Sequence, residues 1–184
     1  MTHVETLLWR AIAKRQEGEM IETATQASFE TLYGQMSKPL AAYIYRVSGD
    51  AQCVEDLTQE TFYRYLRAPS SDGDENRRRA LLYRIATNLI YDRWRKSKHH
   101  RQWQSAAQFE TSVEPQHELA PDMRRLMNQL DPRERALLWH AYVEGASHGE
   151  IAEILQVSTI SVKVMLFRAK RKMAAVLRKN GFGH

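Results

Sequence analysis

Apolar residues recur three or four positions apart through most of this 184-residue chain, and this spacing constrains the fold more than any other feature. It places side chains on one face of an α-helix, whereas a strand requires strict alternation. No convincing run of alternating β-branched residues between turns interrupts the pattern. The sequence therefore predicts an all-α protein.

An apolar stripe over residues 29–47 predicts the first helix. Its members are Phe29, Leu32, Tyr33, Met36, Leu40, Tyr43, Ile44 and Val47. Pro39 lies inside the stripe, and we expect the helix to bend or break there because proline lacks an amide donor and its ring clashes with the preceding turn. The helix should end at Gly49, after which Asp50 is a suitable N-cap for a second helix that runs to about Leu66.

A third helix is predicted from Arg77 to about Lys98, after an exposed loop of turn-forming residues over 68–76. Its apolar face contains Leu81, Leu82, Ile85, Leu89 and Ile90. Aromatic and basic residues are interleaved with that face, so we expect this helix to be both buried and basic. Because a helix of 3.6 residues per turn cannot expose all of these side chains, either Tyr83 or Tyr91 should be buried.

An acidic stretch without lysine or arginine spans residues 102–122 and contains Pro115 and Pro121. The prolines oppose a continuous helix, and the composition is typical of a linker. The predicted organisation is an N-terminal extension (1–25), a first helical domain (26–100), a flexible linker (101–122) and a second helical domain (123–184).

The C-terminal half carries two helix starts close together. Asp131 and Glu134 form one capping-box pattern, and Ser147 with Glu150 forms another. A three-residue corner at 156–158 then precedes a longer helix. The inward stripe of that helix is Val162, Leu166, Ala169 and Met173. Two helices joined by a tight corner predict a helix-turn-helix, whose second helix enters the major groove of DNA.

Positive charge is concentrated in this last helix. The chain has a formal net charge of +5, and no acidic residue follows Glu153. Such a surface favours phosphate, although a basic face on an ordinary helical bundle is often only solvated. The corner and the two capping boxes favour the DNA-binding interpretation.

The sequence disfavours several classes of protein. Cys53 is the single cysteine, so no internal disulfide or cysteine zinc cluster can form, and we expect it to be a small packed side chain. His99 and His100 are adjacent and cannot share a helix face as zinc ligands do. We find no glycine-rich phosphate loop, signal peptide or apolar run of about 20 residues. We therefore expect a soluble, cytoplasmic protein that is not an enzyme and uses no cofactor or metal.

Three segments, in order along the chain, resemble extracytoplasmic-function (ECF) sigma factors. Residues 50–62 (DAQCVEDLTQETF) resemble the polymerase-binding helix of that family, and residues 82–89 (LYRIATNL) resemble its promoter-melting helix. Residues 130–135 (LDPRER) with 144–155 (EGASHGEIAEIL) resemble the fourth sigma region. The resemblance covers about residues 26–180. It implies two helical domains, sigma region 2 and the helix-turn-helix of sigma region 4, in a transcription initiation factor.

The resemblance implies that one face of the second helix binds RNA polymerase. Asp56, Gln59 and Glu60 share that face because they are three and four residues apart. In the family this face docks on the coiled-coil clamp helices of the polymerase β′ subunit, and the fourth region binds the β flap. The alternative is a solvated helix face held by local charge pairs.

The resemblance implies further partners. They are promoter DNA and an anti-sigma protein. We do not expect the protein to insert into a membrane. The free protein is expected to be a monomer in which a bound partner sets the distance between the two domains. The acidic linker is expected to follow a positively lined channel of the polymerase, and a merely flexible tether is the alternative.

The resemblance also assigns the third helix and the loop before it to the nontemplate strand of the minus-ten element. Aromatic and basic side chains would stack on unpaired bases and contact phosphates. The implied residues are Tyr83, Arg84, Asn88, Arg93, Trp94 and Lys96, with Tyr91 as a further candidate. The family often has tryptophan where this chain has Leu81, so the melting surface departs from the family there.

The last helix corresponds to the recognition helix of the family, which binds the minus-thirty-five element. The implied residues are Thr159, Ser161, Lys163, Phe167, Arg168 and Arg171, of which Lys163, Arg168 and Arg171 would mainly contact phosphates. The family commonly shows TVKSRL where residues 161–166 are SVKVML, so Val164 and Met165 replace two polar residues. With Ile160 and Phe167 they give an unusually apolar outward face, which would suit thymine methyl groups or an anti-sigma protein.

Other functions remain open at the level of sequence. A stand-alone helix-turn-helix regulator, with the N-terminal half for dimerisation or sensing, would bind palindromic sites without polymerase. A sigma-like decoy would bind an anti-sigma protein only. A metal-dependent nuclease would require a carboxylate cluster assembled in space. A sigma factor instead predicts specific promoter opening only when core polymerase is added.

Overall fold

The structure, a computed structural model, describes residues 29–68, 74–103 and 125–182. Every regular element in these ranges is helical, as predicted. The main helices are α1 (29–48), α2 (Val54–Arg67), α3 (Glu75–Trp103), α4 (Pro132–Tyr142), α5 (His148–Leu155) and α6 (Thr159–Lys179), and residues 125–127 are also helical. None of them is long and apolar enough to cross a membrane. The predicted extension at 1–25, most of the loop at 68–76 and most of the linker at 101–122 lie outside the described residues.

We expected α1 to bend or break at Pro39, and because the helix continues through this residue, a break there is wrong. Leu40, Ile44 and Val47 are fully buried after the proline, and Met36 is buried before it. An uninterrupted helix keeps these residues on one stripe, and their burial is sufficient to offset the local cost of about 3 kcal/mol for an interior proline.

A tight turn after α1 sets the start of the next helical segment. Gly49 has a φ of +74°, which favours glycine, and its amide donates to the carbonyl of Tyr45 at 2.9 Å. The Asp50 carboxylate accepts from the amide of Gln52 at 3.0 Å. This cap opens a short 3-10 turn, Ala51–Cys53, which leads directly into α2.

Helices α2 and α3 pack together, and Tyr43 of α1 contacts α3 through Thr87 and Tyr83. Leu57, Phe62 and Tyr65 are buried on α2, and Leu82 and Ile90 are buried on α3. The polar face of α2 is therefore turned outward, because its apolar stripe is used by this packing.

Both predicted capping boxes are present and fix the starts of α4 and α5. The Asp131 side chain accepts from the Glu134 amide at 2.9 Å, and the Glu134 side chain accepts from the Asp131 amide at 2.8 Å. Ser147 and Glu150 make the equivalent pair at 3.3 and 2.7 Å. Each pair satisfies two amides that a helix start otherwise leaves without partners.

The corner between α5 and α6 completes the helix-turn-helix. Gln156 adopts a left-handed conformation with a φ of +53°, and the hydroxyl of Ser158 caps α6 by accepting from the Ser161 amide at 3.2 Å. On α6 the predicted inward stripe is confirmed at Val162, Leu166 and Ala169, which are buried, while Met173 is half-buried.

Contacts divide the chain into two units, Met1–Ser37 and Lys38–His184. Helices α2 to α6 all belong to the second unit, and within it α3 packs against both α4 and α5. The expectation that only a bound partner sets the distance between the two helical domains is therefore wrong for this structure. The reason is that α3 shares a buried aromatic cluster with α4.

We expect Gly49→Ala to lower the free energy of unfolding more than Gly145→Ala. Both glycines have positive φ values, +74° and +64°, so a backbone cost of about 1 kcal/mol is common to both variants. A Cβ at position 49 would lie 2.6 Å from Arg135 Nη1 and 2.6 Å from Asn128 Oδ1, whereas one at position 145 meets nothing within 4 Å. Displacing the buried Arg135 should cost about 1 kcal/mol more. Urea unfolding measures both variants, and equal losses would contradict the predicted clash.

Candidate nucleic-acid and protein interfaces

The outward face of α2 presents the three residues predicted to bind polymerase. Asp56 and Gln59 are exposed, and Glu60 is partly exposed. Gln59 donates to Glu55 Oε1 at 3.3 Å, and Glu60 accepts from Arg64 Nε at 2.6 Å. Both contacts are made with residues of α2 itself. The three polar side chains are thus accessible to a partner.

Two apolar residues extend this face and were overlooked in the sequence. Tyr63 and Leu66 are exposed, although both are large and hydrophobic. They follow Gln59 at four and seven residues, the spacing of neighbours on one helix face, and that spacing was the available clue. The Arg67 guanidinium lies 5.4 Å from the centre of the Tyr63 ring. The α2 surface is therefore polar at its start and aromatic towards its end.

A cleft of about 770 Å³ lies between the start of α2 and the C-terminal half of α3. Its walls include Asp50, Cys53, Arg64, Arg93, Trp94 and Lys96. Arg93 Nη2 lies 3.3 Å from Asp50 Oδ2. Burial raises the pKa of the Cys53 thiol, in keeping with the packed side chain expected there. Three predicted minus-ten residues thus line one basic and aromatic cleft.

The other three predicted minus-ten residues lie elsewhere on α3. Arg84 is half-buried and Asn88 is exposed, and neither lines the cleft. Tyr83 is in the interior, with 2% of its surface exposed, whereas Tyr91 is only half-buried. The prediction that one of the two tyrosines is buried is confirmed, and the buried one is Tyr83.

Tyr83 belongs to an aromatic cluster that joins α1, α3 and α4. Its ring centre lies 5.0 Å from that of Tyr43 and 4.9 Å from that of His140, both in edge-to-face geometry. Tyr43 and His140 are also 5.0 Å apart. The Thr87 hydroxyl donates to the Tyr83 carbonyl, so the Tyr43 hydroxyl is the donor in its 2.6 Å bond to Thr87. Burial raises the pKa of both Tyr43 and Tyr83.

The carboxylate of Glu144 closes one side of this cluster. It accepts from the Tyr83 hydroxyl at 2.9 Å and from Trp139 Nε1 at 3.2 Å. It also forms an ion pair with Arg79. Because Arg79 and Tyr83 are on α3 whereas Trp139 and Glu144 follow in the C-terminal half, one carboxylate links the two halves.

His140 lies at the centre of the same contact and is completely buried. Neither of its ring nitrogens has a hydrogen-bond partner among the described residues. Burial lowers the pKa of His140 to about 4, an effect that the neighbouring Glu144 opposes and Arg79 reinforces. The imidazole is therefore neutral at neutral pH.

The outward side of α6 carries the residues predicted to contact the minus-thirty-five element. Those exposed are Thr159, Lys163, Phe167, Arg168 and Arg171. Ser161 is half-buried, and its hydroxyl lies 2.6 Å from that of Ser158. The Arg171 guanidinium lies 5.7 Å from the centre of the Phe167 ring. Five of the six side chains are thus accessible on one basic helix.

Lowering the pH from 6.5 to 4 is expected to destabilise the protein through His140. An unfolded histidine takes up a proton near pH 6.5, whereas His140 in the folded protein does so only near pH 4. Unfolding therefore binds a proton across this window, and the free energy of unfolding should fall by about 3 kcal/mol by pH 4. Urea unfolding at several pH values measures the fall.

His140→Leu should remove this part of the pH dependence. His148→Leu, which removes an exposed histidine of the same domain, is the matched control and should keep it. An acid-induced fall of the same size in wild type and His140→Leu would refute the role of His140.

Comparisons with known proteins agree with this architecture. Residues 32–100 match the family described as Sigma-70 region 2, and residues 122–173 match Sigma-70, region 4. The chain is 31% identical over 165 residues to the ECF RNA polymerase sigma factor SigL of Mycobacterium tuberculosis, and the match covers 86% of this chain and 93% of SigL.

Two solved structures share the fold. The sigma factor RpoE, in complex with the anti-sigma factor NepR from Bartonella quintana, has a TM-score of 0.66 at 20% identity, covering 82% of this chain and 97% of RpoE. CnrH, in complex with the cytosolic domain of CnrY, has a TM-score of 0.60 at 24% identity, covering 85% and 91% of the two chains. From its match to SigL and its two sigma regions, the chain belongs to the ECF RNA polymerase sigma factors, non-catalytic transcription initiation factors that bind RNA polymerase and promoter DNA.

Proposed function

We propose that this sigma factor uses three separate surfaces, the outward face of α2 for core RNA polymerase, the cleft beside α3 for the minus-ten element and α6 for the minus-thirty-five element. The observation that carries the proposal is that the polar face of α2 stays exposed while the apolar stripe of the same helix is buried. A polymerase can therefore bind α2 without unfolding it.

Asp56, Gln59 and Glu60 would bind the β′ clamp helices, with Tyr63 and Leu66 supplying apolar area beside them. Exposed carboxylates suit a basic partner, and an exposed aromatic residue next to them is typical of a binding surface. The C-terminal domain would bind the β flap.

The cleft beside α3 has the chemistry needed to hold an unpaired strand. Trp94 offers a stacking surface, while Arg93 and Lys96 offer phosphate contacts. Arg84 and Asn88 would extend the contact along α3. Tyr83 can join them only if α4 moves away, because its ring and hydroxyl are occupied by His140 and Glu144.

On α6, Thr159 and Ser161 lie in the first turn, where a recognition helix meets base edges. Lys163, Arg168 and Arg171 would contact phosphates. We further propose domains at 26–100 and 123–184 joined by a linker at 101–122, with residues 1–25 as an extension.

The protein would act as a non-enzymatic monomer in the cytoplasm, where polymerase and promoters are found. An anti-sigma protein is the proposed regulator. Support comes from RpoE and CnrH, which have this fold and were solved bound to NepR and CnrY.

In vitro transcription of genomic fragments with core polymerase, with and without the protein, tests this function. Defined transcripts should start only when both are present. Protection of palindromic duplexes by the protein alone, with no transcript from any fragment, would instead support a stand-alone regulator.

Asp56→Lys is expected to weaken binding to core polymerase by about ten-fold, because a like charge then faces a basic partner. Asp56 is exposed, so the fold should be unaffected. Glu30→Lys makes the same charge change at an exposed site on α1, outside the proposed surfaces, and is the matched control. Fluorescence titration with core enzyme measures both, and unchanged affinity in Asp56→Lys would contradict the assignment of this face.

Arg93→Ala should reduce strand opening at a promoter, whereas Arg95→Ala should have little effect. The two arginines are exposed on the same helix and carry the same charge, but only Arg93 lines the cleft. The ion pair of Arg93 with Asp50 is partly exposed and adds little stability. Permanganate reactivity of unpaired thymines in the complex with polymerase measures opening, and equal defects in the two variants would count against the cleft.

A further inference from the structure

Three hydrophobic side chains form a line along the outside of α6. Ile160, Val164 and Phe167 are 84%, 46% and 60% exposed. They are four and three residues apart, so they lie on one face of the helix. Three exposed apolar side chains in a row are unusual, because an exposed helix face is normally polar.

The exposed line lies directly opposite the buried stripe of the same helix. The buried residues Val162, Leu166 and Ala169 have the same spacing but are displaced by two positions. Two positions correspond to about 200° around an α-helix. The apolar line is therefore the part of α6 that projects farthest from its own domain.

Basic side chains border this line on both sides. Counting around the helix, Lys163 falls on one side and Arg168 on the other, and both are exposed. Arg171 continues the line beyond Phe167. No aspartate or glutamate follows Glu153 in the sequence. The surface thus suits a partner with apolar groups between two rows of negative charge.

The first turns of α6 offer few free polar groups for reading bases. The Ser161 hydroxyl lies 2.6 Å from the Ser158 hydroxyl, which caps the helix by accepting from the Ser161 amide. Aliphatic and phenyl side chains cannot make the hydrogen bonds that distinguish most base edges. In the major groove the apolar group presented by a base is the C5-methyl of thymine.

We infer that Ile160, Val164 and Phe167 read thymine methyl groups in the upstream promoter element, while Lys163 and Arg168 contact the flanking phosphates. This inference rests on the proposed function, because it requires α6 to lie in the major groove of promoter DNA. The occupant is duplex DNA, since the charges on both sides of the line complement the two phosphate backbones. Specificity then depends on thymines at positions facing the line.

Replacing thymine by uracil tests this inference, because uracil pairs with adenine but lacks the methyl group. The probe is a duplex from a promoter that the protein and core polymerase transcribe. In a set of duplexes, the thymines of the protected upstream element are replaced by uracil one at a time. A control duplex carries uracil outside that element. Binding of the assembled holoenzyme should weaken about four-fold for each contacted methyl that is removed, as expected for one buried methyl-sized group. Uracil outside the element should leave binding unchanged.

Variants of the line provide the second arm. Ile160→Ser with Val164→Ser should reduce the difference between thymine and uracil duplexes to the part that Phe167 contributes. Val143→Ser removes an exposed apolar residue outside α6 and should preserve the difference. Arg168→Ala should weaken binding to both duplexes equally, because a phosphate contact does not depend on the base.

The outcomes separate the inference from the function on which it rests. Equal binding of thymine and uracil duplexes by a holoenzyme that still transcribes would overturn the inference and leave the proposed function standing. Loss of anti-sigma binding in the double serine variant, with thymine discrimination intact, would also overturn it and assign the line to a protein partner. Failure to bind or transcribe any promoter would overturn both.

Discussion

The aromatic contact among Tyr43, Tyr83 and His140 determines how the rest of the protein can be used. It fills the space between α1, α3 and α4 with rings about 5 Å apart, a geometry that adds stability beyond the area buried. Because this contact uses the inner side of α3, the helix-turn-helix is held beside the N-terminal helices. The outward sides of α2 and α6 take no part in this contact and stay exposed.

Polar atoms buried in such a contact need hydrogen-bond partners to offset the loss of water. The hydroxyls of Tyr43 and Tyr83 have partners in Thr87 and Glu144, so their burial costs little. His140 is different, since its ring nitrogens have no partner among the described residues and its neutral form is favoured. The contact is thus well packed in its rings but not fully satisfied in its polar atoms, and the unpartnered imidazole lowers its net stability.

The parts of the structure that could be predicted are those decided by neighbouring residues. The capping boxes at Asp131 and Ser147, for example, depend on residues three positions apart, and both are present. The continuity of α1 through Pro39 could not be predicted, because burial of distant residues outweighed the local preference.

The candidate surfaces could likewise be predicted only where neighbouring residues decide them. Residues on one helix face, such as Asp56 and Gln59, were found from spacing. The burial of Tyr83 by a group 61 positions away leaves no periodic trace in the sequence. Spacing limited the choice to Tyr83 or Tyr91, and only the fold decides between them.

The contact between the two halves combines an ion pair of Glu144, which responds to ionic strength, with buried rings, which do not. Arg79, the partner of Glu144, is about half exposed, with 47% of its side chain accessible, so dissolved ions can weaken their attraction. The buried rings of Tyr43, Tyr83 and His140 are shielded from such screening. A rise in the salt concentration of the cell would therefore weaken the Arg79–Glu144 ion pair while the buried rings keep their packing.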